Sequence, residues 1–211
     1  MYDAIFFDLD GTLIDTERVA IETGRLAFSA LNIVHPDALL HRLIGVDQPT
    51  AAELIRTACP NIDLDLLKAE WAGRFEAAIA TDVPLKAGAQ AVVHGLSRTH
   101  QLALVTSSGR DAAMDKLQRS GLLPAFKTIV VREDVTAPKP APEPYLLAAT
   151  RLGAAVERCL VFEDSEPGAE AAHRAGMVVI QIPDIHPATG KFARHVAADL
   201  LGGCAWAGLK L

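Results

Sequence analysis

The sequence predicts an α/β fold, a doubly wound parallel sheet that carries an inserted α-helical cap domain. One observation is a set of five short apolar runs rich in Val, Ile and Phe: Ala4–Phe7, Leu102–Val105, Thr128–Val131, Cys159–Phe162 and Met177–Ile180. Continuous apolarity is typical of strands that are buried on both faces of a parallel sheet. The other observation is a stretch of more than ninety residues, between Asp8 and Leu102, without a convincing strand.

Helical patterns separate the later apolar runs. They cover Ala87–Arg98, Arg110–Gln118, the residues after Pro142, and Pro167–Ala175. Strand–helix alternation at these lengths indicates an open α/β sheet.

Helix-end signals accompany these patterns. Ser108 and Thr50 each stand three residues before an acidic residue, which predicts that both are N-cap residues of helices. Gly121 and Gly176 follow helical runs, where a residue in the left-handed conformation is expected.

The long stretch without strands has helical patterns throughout. They are Arg18–Leu31, Asp37–Arg42, Ala51–Cys59 and Leu64–Ala80. A crossover connection does not need so much chain, so the sequence predicts an insertion. We expect residues 1–15 and 82–211 to form the core domain and residues 16–81 the cap domain.

Composition excludes several classes of function. The chain has 211 residues, half of them hydrophobic, and a formal net charge of -6, which argues against a nucleic-acid-binding surface. No apolar run approaches the roughly 20 residues of a membrane span. The N-terminus lacks a basic, apolar leader, and the three cysteines are far apart and odd in number. We therefore expect a cytoplasmic protein with reduced thiols and no nucleic-acid or membrane partner.

Polar residues gather directly after the apolar runs. They are Asp8 and Asp10; Thr106, Ser107 and Ser108; Glu133, Asp134 and Lys139; and Glu163, Asp164 and Ser165. Ligands of open parallel sheets bind beyond the carboxyl ends of the strands. Carboxylates suit Mg²⁺, whereas hydroxyls and a lysine can neutralise phosphoryl oxygens. The pattern predicts a site that holds a phosphate beside a divalent cation.

Asp8 and Asp10 have the spacing of a catalytic pair. Residues i and i+2 of an extended chain point to the same side, and Gly11 then permits a sharp turn. One carboxylate can attack phosphorus while the other delivers a proton to the leaving oxygen.

Four segments together resemble the signatures of the haloacid dehalogenase-like phosphatases. They are DLDGTLID at Asp8–Asp15, the apolar run that ends in Thr106, KPAPEPY beginning at Lys139, and VFEDSEPGAEAAHRAGM at Val161–Met177. The resemblance implies a Rossmann-like core with a small helical cap, and hydrolysis of a phosphomonoester with Mg²⁺ as cofactor.

The same resemblance implies a role for each site residue. Asp8 is the expected nucleophile and a metal ligand, and Asp10 is the acid/base whose backbone carbonyl also binds the metal. Asp164 is an expected metal ligand, as is Glu163, directly or through water. Thr106 and Ser107 are expected to bind phosphate, and Lys139 to bridge phosphate and nucleophile. We interpret Ser108 as a helix cap, and Glu133 and Asp134 as surface or hinge-pairing residues.

Single residues separate the chemistries of this family. Dehalogenases lack the second aspartate of the first motif, so Asp10 argues against that activity. Phosphonate hydrolases use a cap lysine, and the cap's Lys68 lies away from the position expected. Mutases of the β-phosphoglucomutase type remain the alternative. They typically have a histidine where Ala20 stands and an arginine where Gln48 stands, which favours water as acceptor.

Substrate choice is expected to lie in the cap, because the core recognises only the phosphate. The loop Ile44–Thr50, with Gly45 and Gln48, is the predicted contact to the leaving group, and Arg42 is a candidate partner for a substrate anion. A helical cap favours a small phosphorylated metabolite, such as a sugar phosphate or phosphoglycolate. The sequence indicates no oligomeric state.

Overall fold

The computed structural model describes residues 2–35, 37–44, 46, 48–185 and 187–211, without the side chains of Asp37 and Gln48. Contacts divide the chain into two compact units. One consists of Met1–Asp15 and Pro84–Leu211, and the other of Thr16–Val83. The second boundary therefore lies two residues after the predicted one.

The first unit contains a parallel sheet of six strands within the described residues. The strands are β1 (Ala4–Phe7), β2 (Gln101–Val105), β3 (Thr128–Val130), β4 (Cys159–Glu163), β5 (Val178–Gln181) and β6 (His195–Val196). Their order in the sheet is β3-β2-β1-β4-β5-β6. The predicted α/β fold with a parallel sheet is confirmed.

The register of β1 places the candidate site. Phe7 is paired with Leu104 of β2 on one side and with Phe162 of β4 on the other. The carboxyl ends of these three strands therefore lie level, so the residues that follow them meet at one edge. The Asp8 N–H continues the ladder by donating to the Phe162 carbonyl at 3.1 Å.

Helices flank this sheet. They are α5 (Ala89–Leu96), α6 (Arg110–Arg119), α7 (Glu143–Leu152), α8 (Glu166–Arg174) and α9 (Leu200–Trp206). One core cluster joins Phe6 of β1 to Tyr145 of α7 and Ala169 of α8. Phe7 and Phe162 stack with their ring centroids 5.1 Å apart. Burial on both faces explains why the strands are continuously apolar.

The second unit is helical. It contains α1 (Thr16–Ala30), α2 (Asp37–Leu43), α3 (Gln48–Ala58) and α4 (Leu64–Thr81). The Trp71 indole of α4 donates to the Ala20 carbonyl of α1 at 2.9 Å. A Cβ at Gly24 would lie 2.6 Å from Trp71, so only glycine permits this close approach of α1 and α4.

Some local predictions were wrong. Ser108 is not a helix cap, because the N-cap position of α6 is Gly109. Thr50 lies inside α3, which begins at Gln48. Gly121 and Gly176 do have positive φ, as predicted. The strand β6 and the helix α9 have no counterpart among the predicted elements.

Neither a membrane-spanning helix nor a disulfide is found among the described residues. None of their helices combines the length and the hydropathy that crossing a bilayer requires. Cys59, Cys159 and Cys204 are free, buried thiols.

Candidate active site

Asp8 lies directly after β1 and is buried. Its Oδ1 accepts a hydrogen bond from Lys139 Nζ at 2.7 Å. Burial raises the pKa of Asp8 to about 7, and the nearby Glu163 carboxylate adds to this rise although Lys139 opposes it. Among the described residues no donor reaches Oδ2, so this oxygen stays available to a ligand or substrate.

Lys139 uses all three of its N–H donors. Its ammonium donates to Asp8 Oδ1, to Glu163 Oε1 at 2.5 Å and to the Val105 carbonyl at 3.0 Å. Burial alone would lower the pKa of Lys139, but the Asp8 and Glu163 carboxylates hold it well above its ordinary value. The lysine is therefore a fixed positive charge beside the Asp8 carboxylate.

Glu163 is fully buried at the end of β4. Its Oε1 accepts from Lys139 and from the Tyr145 hydroxyl at 2.9 Å. Its Oε2 accepts from the Ser165 N–H at 3.1 Å and the Ser165 hydroxyl at 2.9 Å. These four donors occupy the lone pairs that a cation would need. In this arrangement Glu163 positions Lys139, and its metal role, direct or through water, stays a prediction.

Asp164, the next residue, points elsewhere because successive side chains of an extended chain alternate. Its Oδ1 accepts from the Thr12 hydroxyl at 3.1 Å. Gly11, with φ of +86°, leaves room for the carboxylate, since a Cβ there would lie 2.3 Å from Asp164 Oδ2. The Gln181 amide donates to the Asp164 carbonyl at 3.2 Å. Asp164 thus lies against Gly11, the residue that follows Asp10.

Thr106 and Ser107 follow β2, and only Ser107 is exposed. The Thr106 hydroxyl accepts the Ser108 N–H at 3.0 Å. A hydroxyl that accepts a bond keeps its own hydrogen for donation, so Thr106 can still donate to a phosphoryl oxygen.

Asp10 is held by two side chains that the sequence analysis did not connect with it. The Ser108 hydroxyl donates to Asp10 Oδ2 at 2.6 Å, and Lys116 Nζ lies 2.6 Å from Asp10 Oδ1. Lys116 belongs to the buried face of α6, with Ala113 and Leu117. A lysine at a buried helical position is a signal that could have found it, because such a charge requires a partner.

Comparison with known proteins identifies the family. A model of haloacid dehalogenase-like hydrolases matches residues 5–182, a range that includes every strand-end segment described above. The chain belongs to the haloacid dehalogenase-like hydrolase family. The resemblance noted in the sequence is confirmed.

Three related proteins support the assignment. Validoxylamine A 7'-phosphate phosphatase of Streptomyces hygroscopicus subsp. limoneus is 31% identical, and the match covers 89% of each chain. The phosphorylated carbohydrates phosphatase of Thermotoga maritima is 30% identical over 83% of this chain and 82% of its own. The crystal structure of a candidate β-phosphoglucomutase from Thermotoga maritima has a TM-score of 0.79 at 28% identity. The match covers 92% of this chain and 94% of the chain in that structure.

These matches place the protein among the sugar phosphatases and phosphomutases of the haloacid dehalogenase-like family. It is an enzyme of the phosphoric monoester hydrolase class.

The donor set at the strand ends fits Mg²⁺. In the part of the chain that the structure describes, no three Asp, Glu, His or Cys side chains form a ready-made metal cluster. The groups that would hold the cation are the carboxylates of Asp8 and Asp164 and the backbone carbonyl of Asp10. Mg²⁺ is commonly held by one or two carboxylates and keeps water and phosphate oxygens in its other positions.

Other predicted residues have different placements. Arg42 is an exposed residue of α2. Gly45 lies outside the described residues, as does the side chain of Gln48. Glu133 and Asp134 form pairs: Glu133 accepts the Arg110 N–H at 3.0 Å, and Asp134 bonds the Arg110 and Arg151 side chains.

Proposed function

We propose that the protein hydrolyses a small phosphorylated sugar or related metabolite in a Mg²⁺-dependent reaction, through a phosphoryl group carried on Asp8. The observation that carries the proposal is the pairing of buried Asp8 with Lys139 at 2.7 Å. This pair puts a nucleophilic oxygen beside a fixed positive charge, and the Thr106 hydroxyl follows the neighbouring strand. Such a site suits an anionic phosphoryl group.

In the first step an Asp8 carboxylate oxygen attacks phosphorus. The bond between phosphorus and the ester oxygen breaks, and Asp10 gives its proton to the departing alcohol oxygen. Lys139 and the Thr106 hydroxyl donate to phosphoryl oxygens. Bound Mg²⁺ supplies further positive charge that offsets the negative charge of the phosphoryl group.

In the second step Asp10, now a carboxylate, takes a proton from water. The water oxygen attacks phosphorus, and the bond between phosphorus and the Asp8 oxygen breaks. Inorganic phosphate leaves, Asp8 is again a free carboxylate, and Asp10 again carries the proton that the next cycle uses.

The proposed substrate class rests on the relatives. One is named for validoxylamine A 7'-phosphate and another for phosphorylated carbohydrates. A phosphate-release screen over sugar phosphates, polyol phosphates and phosphoglycolate would identify the preferred compound.

Mutase action is the second candidate, because the candidate β-phosphoglucomutase from Thermotoga maritima shares the fold over nearly the whole chain. Ala20 and Gln48 argue against it, as they replace the histidine and arginine expected of such mutases. Incubation with a hexose 1-phosphate separates the two reactions. Free phosphate supports hydrolysis, whereas accumulation of the 6-phosphate supports transfer.

The variant Asp8→Asn tests the nucleophile. It should abolish phosphate release. After a rapid acid quench, mass spectrometry should find a phosphoryl group on the wild-type chain and none on the variant. Asp3→Asn is the matched control, because Asp3 lies at the opposite end of β1, where it pairs with Arg158. Turnover that survives in Asp8→Asn would contradict the proposal.

A further inference from the structure

The Asp10 carboxylate accepts two hydrogen bonds from the segment that follows β2. Ser108 lies in the turn after β2, and Lys116 lies two turns along α6. They bond different oxygens of Asp10, each at 2.6 Å. Two bonds to two oxygens fix both the position and the rotation of a carboxylate, whereas one bond would leave it free to turn.

A lysine is unusual at the buried position that Lys116 occupies on α6. Its buried neighbours Ala113 and Leu117 are apolar, and the lysine side chain is only 11% exposed. Burying a lysine is unfavourable unless its ammonium finds a partner. The aliphatic stem covers apolar surface while the ammonium reaches Asp10, so the pairing accounts for the placement.

Lys116 differs from Lys139 in what it contacts. Lys139 bonds Asp8, Glu163 and the Val105 carbonyl, whereas Lys116 bonds only Asp10 among the described residues. Each aspartate of the pair therefore has its own lysine. A carboxylate offers about four lone-pair sites, so the two bonds to Asp10 leave sites free for a proton and for the leaving oxygen.

We infer that Lys116, together with Ser108, is a positioning residue that orients Asp10 for proton transfer to the leaving alcohol. The inference rests on the proposed role of Asp10 as acid/base. Proton transfer requires the two heavy atoms to approach within about 3 Å, so an Asp10 side chain that rotates freely would transfer the proton less often.

Leaving-group dependence tests the inference. The variants are Lys116→Met and Lys116→Arg, and the control is Lys127→Met, which removes an exposed lysine of the same unit. Lys116→Met should lower kcat/KM about 10- to 100-fold for glycerol phosphate or whichever alkyl phosphomonoester the wild type prefers. For p-nitrophenyl phosphate, whose phenolate leaves without a proton, the loss should be under about threefold. Lys116→Arg should recover most of the activity towards the alkyl ester.

A merely structural role gives a different result. Loss of packing or stability would lower kcat/KM equally for both substrates, and that result would overturn the inference. So would unchanged activity towards the alkyl ester. In an Asp10→Asn background Lys116→Met should cost nothing further, because there is no acid left to orient. If Lys116→Met does not fold, Ser108→Ala replaces it in the same two-substrate comparison.

The proposed function fails separately. Turnover in Asp8→Asn would contradict the role of Asp8 as nucleophile. Full activity of Asp10→Asn on the alkyl ester would contradict the role of Asp10 as acid. The inference about Lys116 fails alone if Asp10→Asn is severely impaired while Lys116→Met loses the same activity towards both leaving groups. That result differs from the two above.

Discussion

Asp8 occupies the position expected of the nucleophile, but its surroundings disfavour the ionised carboxylate. The side chain is buried, and its pKa is raised to about 7 by that burial, with Glu163 adding to the effect against Lys139. In the protein without metal the carboxyl is therefore protonated below about pH 7. A cation that binds this carboxylate has to displace the proton.

The affinity for Mg²⁺ should consequently depend on pH. It should be constant above about pH 7 and weaken about tenfold for each unit below it, because the protonated fraction of Asp8 rises in that direction. Isothermal titration calorimetry with MgCl₂ between pH 5.5 and 8.5 measures this. Asp8→Asn should bind more weakly and lose the dependence. An affinity that stays constant down to pH 5.5 would contradict the displacement of a proton from Asp8 by the metal.

The sequence indicated which residues meet at the strand ends but not all of their contacts. Asp8, Thr106 and Lys139 follow apolar strands, and parallel topology brings such positions together. Glu163 and Asp164 are adjacent acids, and their different surroundings depend on which face of β4 each side chain occupies. The place of Lys116 on the apolar face of α6 indicates that its charge needs a partner. Because Asp10 lies 106 residues away, no local pattern indicates which residue that partner is.

At the scale of elements, the start of α8 is shaped by one glycine. Ser165 caps this helix by accepting the Gly168 N–H at 3.1 Å, while its own hydroxyl donates to Glu163. Gly168 faces the same carboxylate, and a Cβ there would lie 1.8 Å from Glu163 Oε1. The helix and the Lys139–Glu163 pair therefore depend on the absence of one methyl group.

A pair of helical glycines tests this dependence. Gly168→Ala should lower the free energy of unfolding by about 2 kcal/mol, because Glu163 must move. Gly73→Ala, in α4, is the matched control, since an added Cβ would meet nothing within 4 Å among the described residues. It should raise stability by about 0.5–1 kcal/mol. Urea unfolding measures both, and equal changes would contradict the steric argument.

Elements were predictable where burial dominates and less so where it does not. β1 and β4 are buried at every position, so their continuous apolar composition alone marks them. The edge strand β6 has two residues, His195 and Val196, neither fully buried, and lacks that signal. Gly109 takes the N-cap of α6 because the Ser108 hydroxyl bonds Asp10. The hydrogen bond from Ser108 to the distant Asp10 thus outweighs the preference of serine for a helix N-cap.

At the scale of the whole molecule, the helical unit is inserted at one point of the core. Its two ends leave the core side by side. The Asp15 N–H donates to the Pro84 carbonyl at 2.9 Å, and Ile14 and Leu85 form an antiparallel bridge. The core cluster around Phe6 and Tyr145 lies wholly in the first unit. The core therefore has its own apolar interior and closed chain path.

Replacing residues 16–83 with a short Gly-Ser linker should leave the core folded. Circular dichroism should show one cooperative thermal transition and retained α/β content. Phosphate-release assays should show kcat/KM values that differ less between phosphomonoesters than those of the full chain, because we expect selectivity to reside in the insertion. Asp8→Asn in the shortened chain is the control for residual turnover. A shortened chain that does not fold would show that the core depends on the insertion.

The central place of β1 also has a consequence for synthesis. On the ribosome this strand is made before both of its neighbours, because β2 lies about ninety residues further along and β4 more than 150. Until both are made, the apolar Ala4–Phe7 segment has at least one unpaired edge, a condition that favours aggregation. The nascent chain should therefore need protection by a chaperone, and it gains Asp164 only after β4 has been made.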